Sequence, residues 1–167
     1  MAATTSYFDK MQSVIQGTRA DLERLETMAK EYAAILNREM ETNFFSSPTP
    51  EQQKKIISNA YFQFCIQIKD TLSSIDLHAH RLTIIMRQAD LDFWGKMIEL
   101  GDTILYQHLK FEESVRNFST HSEDLISHSS LLPLKELSME LRRLVLRIQE
   151  TCAQMDEAQE DLLKIYS

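Results

Sequence analysis

The chain has 167 residues, enough for one domain with a sizeable core, and carries 25 acidic against 18 basic side chains, a net charge of −7. That balance disfavours nucleic acid as a partner, because phosphates require a cationic surface, and it disfavours anionic membranes. Only 3 Gly, 3 Pro and 2 Cys accompany 43% hydrophobic residues, which excludes a turn-rich sheet protein and a disulfide scaffold and predicts few, long helices.

The first helix is expected over residues 6–43. Met11, Ile15, Leu22, Leu25, Ala29, Tyr32, Leu36 and Met40 step by three and four, with Thr18 filling the gap. This is a heptad-like stripe, which winds as a helix with one apolar face. Thr4, Thr5 and Ser6 are candidate caps, and Gly17 weakens the helix by roughly 1 kcal/mol relative to Ala without ending it. FFSSPTP (44–50) breaks the pattern. Pro48 opposes helix at Ser47, Thr49 suits a cap, and Pro50 and Gln52 suit the first turn of a second helix.

NAYFQFCIQI (59–68) reads two ways. Phe62, Phe64, Ile66 and Ile68 alternate as in a strand, whereas Ile57, Tyr61, Phe64 and Ile68 share a helix face. The stripe continues as Leu72, Ile75, Ala79, Leu82, Met86, Phe93, Met97, Leu100, Ile104, Phe111, Val115 and Phe118, so the helical period decides. A bend near 88–92 is expected, giving helices over 50–88 and 91–118, with Asp90 placed to cap the second of them. A further apolar set lies off the main stripe: Phe62, Ile66, Leu77, Ile84, Leu91, Trp94, Ile98 and Leu105. A helix apolar on two sides is packed on two sides, so this set is either an inner layer or a partner-binding face.

NFSTHSEDLISHSS (117–130) is poor in apolar residues and predicts a linker over 119–132. Pro133 then opens a last helix over 133–166, with Leu134, Leu137, Leu141, Leu144, Ile148, Cys152, Met155, Leu162 and Ile165 on one face. The fold expected is therefore all-α: a single-domain, elongated antiparallel bundle of three to four long helices with coiled-coil-like packing.

Chemistry-bearing patterns are sparse. No Glu is followed three residues later by His, as a di-iron bundle requires. Asp76, His78 and His80 alternate, which on a helix points them apart and predicts solvent-facing side chains rather than metal ligands. Cys65 and Cys152 fall in apolar patterns as small core residues. The three glycines are isolated, so no phosphate loop is present. Arg142, Arg143 and Arg147 predict a solvated face with local ion pairs. Ser119, Thr120, Ser122 and Ser127 are candidate phosphoacceptors whose added charge beside Glu123 and Asp124 would loosen the linker.

No catalytic residue, cofactor or metal is expected. MAATTSYFDK lacks the basic and apolar regions of a secretory leader, and no run of 18 apolar residues exists, so a cytoplasmic protein without membrane insertion is expected. The expected function is a non-enzymatic protein–protein interaction module, a scaffold or adaptor subunit. It would bind a helical partner, or a second copy, through Phe62, Ile66, Leu77, Ile84, Leu91, Trp94, Ile98 and Leu105. The alternatives are a small acidic helical chaperone holding a client segment, and a ligand or metal carrier within the bundle.

Overall fold

The computed structural model describes residues 2–42, 50–88, 91–127 and 133–166. They form four helices: α1 (Ala2–Thr42), α2 (Pro50–Gln88), α3 (Leu91–Ser127) and α4 (Pro133–Tyr166). No strand occurs among the described residues. The helices contain 41, 39, 37 and 34 residues, so each is about 50–60 Å long.

Side-chain pairings fix the topology. Asp21 meets Ser74 while Tyr32 meets Tyr61, so α1 and α2 run antiparallel. Arg19 meets Asp156 and Glu26 meets Gln149, which sets α4 antiparallel to α1 on its other side. Tyr61 meets Ser122, and His121 meets Glu140, placing α3 between α2 and α4. The result is an up-down-up-down four-helix bundle, with α2 and α3 approaching less closely than the other neighbouring pairs.

The core is the heptad stripe turned inward. Leu22, Leu25, Leu36, Leu82, Ile104, Leu141, Ile148 and Leu162 are fully buried. An aromatic layer links three helices: Phe64 stacks on Tyr32 at 5.4 Å and meets the edge of Phe118 at 5.8 Å. Here the ambiguous stretch resolves. Phe64 is 2% exposed and Phe62 is 70% exposed, since residues two apart on a helix diverge by about 200°.

Two expected boundaries are corrected. α1 begins at Ala2, so Thr4, Thr5 and Ser6 lie inside the helix rather than capping it. α3 does not stop at 118. It runs to Ser127, so most of the expected 119–132 linker is helix. The Ser and Thr side chains there are absorbed locally: the Thr120 hydroxyl donates to the Arg116 carbonyl and the Ser122 hydroxyl to the Ser119 carbonyl. Ser122 also continues the inward face set by Val115 and Phe118, and shares a 2.8 Å hydrogen bond with the Tyr61 hydroxyl. The second helix does end at Gln88, and the third begins at Leu91, as the sequence suggests. Thr49 and Asp90, the expected caps, lie outside the described residues.

Phe64→Ala is expected to destabilise the bundle by about 3–5 kcal/mol, because it opens a cavity against two aromatic neighbours, Tyr32 and Phe118. Phe62→Ala, two residues away, is expected to change stability by less than about 0.5 kcal/mol. Urea unfolding of the two variants checks the difference.

Candidate functional site

The outer face of α2 is the first candidate. Taking about 100° per residue, Phe62, Ile66, Leu77 and Ile84 fall on one line, opposite the line of Phe64, Ile75 and Leu82 that faces the core. Their exposures are 70%, 55%, 49% and 41%. Lys55, Asn59, Lys69, Ser73, His80 and Arg87 fill the remaining positions of this line, with Asp70 at its edge, and all are exposed. Four of the eight residues proposed from sequence are thus brought together on one surface. Ile98 and Leu105 are half-buried and pack against the core from α3. The side chains of Leu91 and Trp94 lie outside the described residues. α3 exposes Tyr106 and Leu109 instead, and α4 exposes Met139, Leu146 and Leu163.

Beside Ile84 the line opens into a groove of about 320 Å³ between α1 and α2. Val14 and Ile85, both buried, form its floor, and Lys10, Ser13 and Arg81 complete its walls. Lys10 is held over the Tyr7 ring, 5.5 Å from its centre.

The second candidate is inside the bundle. Asp21 is a carboxylate on the apolar face of α1, with its side chain 5% exposed. It accepts hydrogen bonds from the Ser74 hydroxyl and the Arg24 guanidinium, and its Oδ2 lies 3.3 Å from His78 Nε2. His78 is therefore not solvent-facing as the alternate spacing suggests. Its side chain is 13% exposed and turned toward α1. His80 is exposed, as expected. His78 fits because residue 17 of α1 is glycine: a Cβ there would lie 2.6 Å from the His78 ring.

Across the core, His108 of α3 is 3% exposed and its Nε2 lies 3.4 Å from the Thr18 hydroxyl. Among the described residues the Nδ1 atoms of both His78 and His108 are buried without a hydrogen-bond partner. Burial pushes the His108 imidazole down to about 4, His78 pushes it the same way, and Asp76 opposes. Glu112, one turn along α3, shares a hydrogen bond with Asp76, which together with burial raises its carboxyl to about 7. So three helices meet at one polar layer: Thr18 and Asp21 from α1, Ser74 and His78 from α2, and His108 from α3, with Asp76, exposed as expected, and half-buried Glu112 at its edge. At this level α4 contributes Cys152 and Met155 to the core. The sequence pattern hid most of this. The one signal was the seven-residue step from Ile104 to Phe111, where His108 holds the inward position.

Among the described residues no three His, Cys, Asp or Glu side chains are arranged to hold a metal ion. Cys152 is buried and Cys65 half-buried, both unpaired, and burial pushes the Cys152 thiol up to about 11. Arg143 pairs with Glu140 at 2.8 Å and Arg147 with Glu150 at 3.1 Å, the local pairs expected of that face. Among the candidate phosphoacceptors, Ser122 is wholly buried. No described helix is long and apolar enough to cross a membrane. Comparison with known proteins finds no protein-family model, no curated protein and no solved structure that matches the chain.

Two predictions follow the polar layer. Gly17→Ala removes a poor helix former, which alone would stabilise α1 by about 1 kcal/mol. It is expected to destabilise instead, because the new methyl meets the His78 ring. In a His78→Ala background the same change is expected to be stabilising, and a double-mutant unfolding cycle checks the reversal. The second concerns pH. His108 has a folded value of about 4 against an ordinary 6.5, so its neutral form supports the fold above pH 6.5. That support is lost as pH falls toward 4, by about 3 kcal/mol. Glu112 acts oppositely, its contribution being present below 4.5 and lost as pH rises through about 7. Unfolding measured from pH 8 to 4 should therefore lose its acid-side decline in His108→Leu, and gain stability on the alkaline side in Glu112→Gln.

Proposed function

We propose that the chain is a non-enzymatic protein–protein interaction module, a scaffold or adaptor subunit that docks a partner helix along the outer face of α2. The observation that carries this reading is the line of Phe62, Ile66, Leu77 and Ile84, left 41–70% exposed on the side of α2 facing away from the core. Singly exposed apolar residues are ordinary on any surface. Four on one face of a single helix, at steps of 4, 11 and 7 residues, make a stripe that another helix can lie along. Fully burying a large apolar side chain is worth about 1.5–3 kcal/mol, and roughly half of each remains to be covered, so the stripe offers on the order of 4 kcal/mol. A cytoplasmic site of action agrees with the two unpaired cysteines, which a reducing compartment preserves.

Photo-crosslinking in cells tests the reading. A photoreactive phenylalanine at Phe62 or Leu77 is expected to give one or a few discrete protein adducts, while the same group at Leu163 of α4 gives none. Ile66→Glu should abolish the Leu77 adducts without changing the melting temperature by more than about 2 °C, since it alters only exposed surface. Absence of adducts at both α2 positions overturns the proposal. A broad ladder of adducts would replace it with the client-holding chaperone reading.

A further inference from the structure

We infer that the helix received by the outer face of α2 is acidic, an amphipathic segment whose carboxylates meet the cations set among the stripe, and that its occupant is not a second copy of this chain. The inference rests on the interaction reading above and specifies the partner's chemistry.

Charge is distributed unevenly over the bundle. α1, α3 and α4 each carry seven acidic side chains against three to five basic ones, whereas α2 carries five basic and three acidic. The one net-positive helix is thus the one that exposes the apolar stripe. Three of its cations, Lys55, Lys69 and Arg87, lie along the stripe, against one carboxylate, Asp70, at its edge, and all are exposed. Among the described residues none of these three takes part in an ion pair within 4.0 Å, unlike Arg19, Arg24, Arg143 and Arg147 elsewhere.

The groove beside Ile84 repeats the pattern at the C-terminal end of α2. Its floor is Val14 and Ile85, and Lys10 and Arg81 stand at its edges. An apolar floor between two cations fits an apolar side chain flanked by carboxylates one helical turn away. The stripe is also interrupted by Lys69, Ser73 and His80, so apolar contact alone is a small contribution against the cost of association. A second α2 laid parallel on the first would bring Lys55, Lys69 and Arg87 together with their own copies, and laid antiparallel it would bring Lys55 against Arg87. An acidic helix turns the same side chains into attractive contacts.

The test uses two synthetic peptides of roughly 25 residues, long enough to span the line from Phe62 to Arg87. Both carry the same leucine heptads, one with Glu and one with Lys at the flanking positions, and binding to the full chain is read by fluorescence anisotropy. The Glu peptide is expected to bind at least about tenfold more tightly than the Lys peptide at about 50 mM salt, and the preference should shrink toward about 500 mM. Lys69→Glu with Arg81→Glu, both exposed changes checked by circular dichroism, should reverse the preference. Equal binding of both peptides, each abolished by Phe62→Glu, would leave the interaction reading standing and overturn the acidic partner. A preference that survives the charge-reversed variant would overturn it too. So would a light-scattering dimer of the chain that dissociates on Phe62→Glu, which places a second copy on the stripe.

Discussion

The register of this bundle depends on the need of one carboxylate to find partners. Asp21 sits between Thr18 and Leu22 on the inward side of α1, where an ionised group without hydrogen bonds would be costly. Ser74 of α2 and Arg24 of its own helix donate those bonds, and His78 Nε2 lies 3.3 Å from its Oδ2. A heptad stripe of Leu and Ile is tolerant of sliding, because one apolar layer resembles the next. Sliding α2 by a single heptad would take the Ser74 hydroxyl from Asp21 and drive the His78 ring away from the notch that Gly17 leaves for it. Buried polar groups are best attested in helical assemblies as devices that set register, often at some expense of stability. The unpartnered Nδ1 atoms of His78 and His108 are that expense here.

Much of the fold was legible in the sequence. The period of the apolar residues persisted through NAYFQFCIQI, and Pro50 and Pro133 marked helix starts that the structure retains. What was illegible had physical reasons. The segment 119–127 looked like a linker because Ser and Thr compete with the backbone for hydrogen bonds, yet in α3 their hydroxyls return to carbonyls within the same helix. His78 looked exposed because periodicity says which face a residue occupies, not whether a neighbouring helix has a glycine there to receive it. His108 and Asp21 were missed for a related reason: a polar residue in a core position is invisible to any reading that counts apolar ones.

The candidate surface was half legible. Phe62, Ile66, Leu77 and Ile84 fall off the main stripe and remain exposed, while Ile98 and Leu105, identical in pattern, are drawn against the core. The distinction lies in how each helix is rolled about its own axis when packed, which is a tertiary property. α2 therefore divides its two faces between two tasks. Its inner face holds the aromatic layer and the polar register contacts, and its outer face is left to solvent and to cations.

The pairing of the first helix with the last has a consequence for synthesis. Arg19 and Asp156 are 137 residues apart in the chain, and Glu26 and Gln149 are 123 apart. The α1–α2 and α3–α4 hairpins are built from near neighbours, but the α1–α4 side closes only between distant segments, and such closures carry the larger entropy of ordering. A nascent chain that has released α1, α2 and α3 still lacks the helix that covers the other flank of α1. Leu22, Leu25 and Leu36 thus reach full burial only once α4 is present.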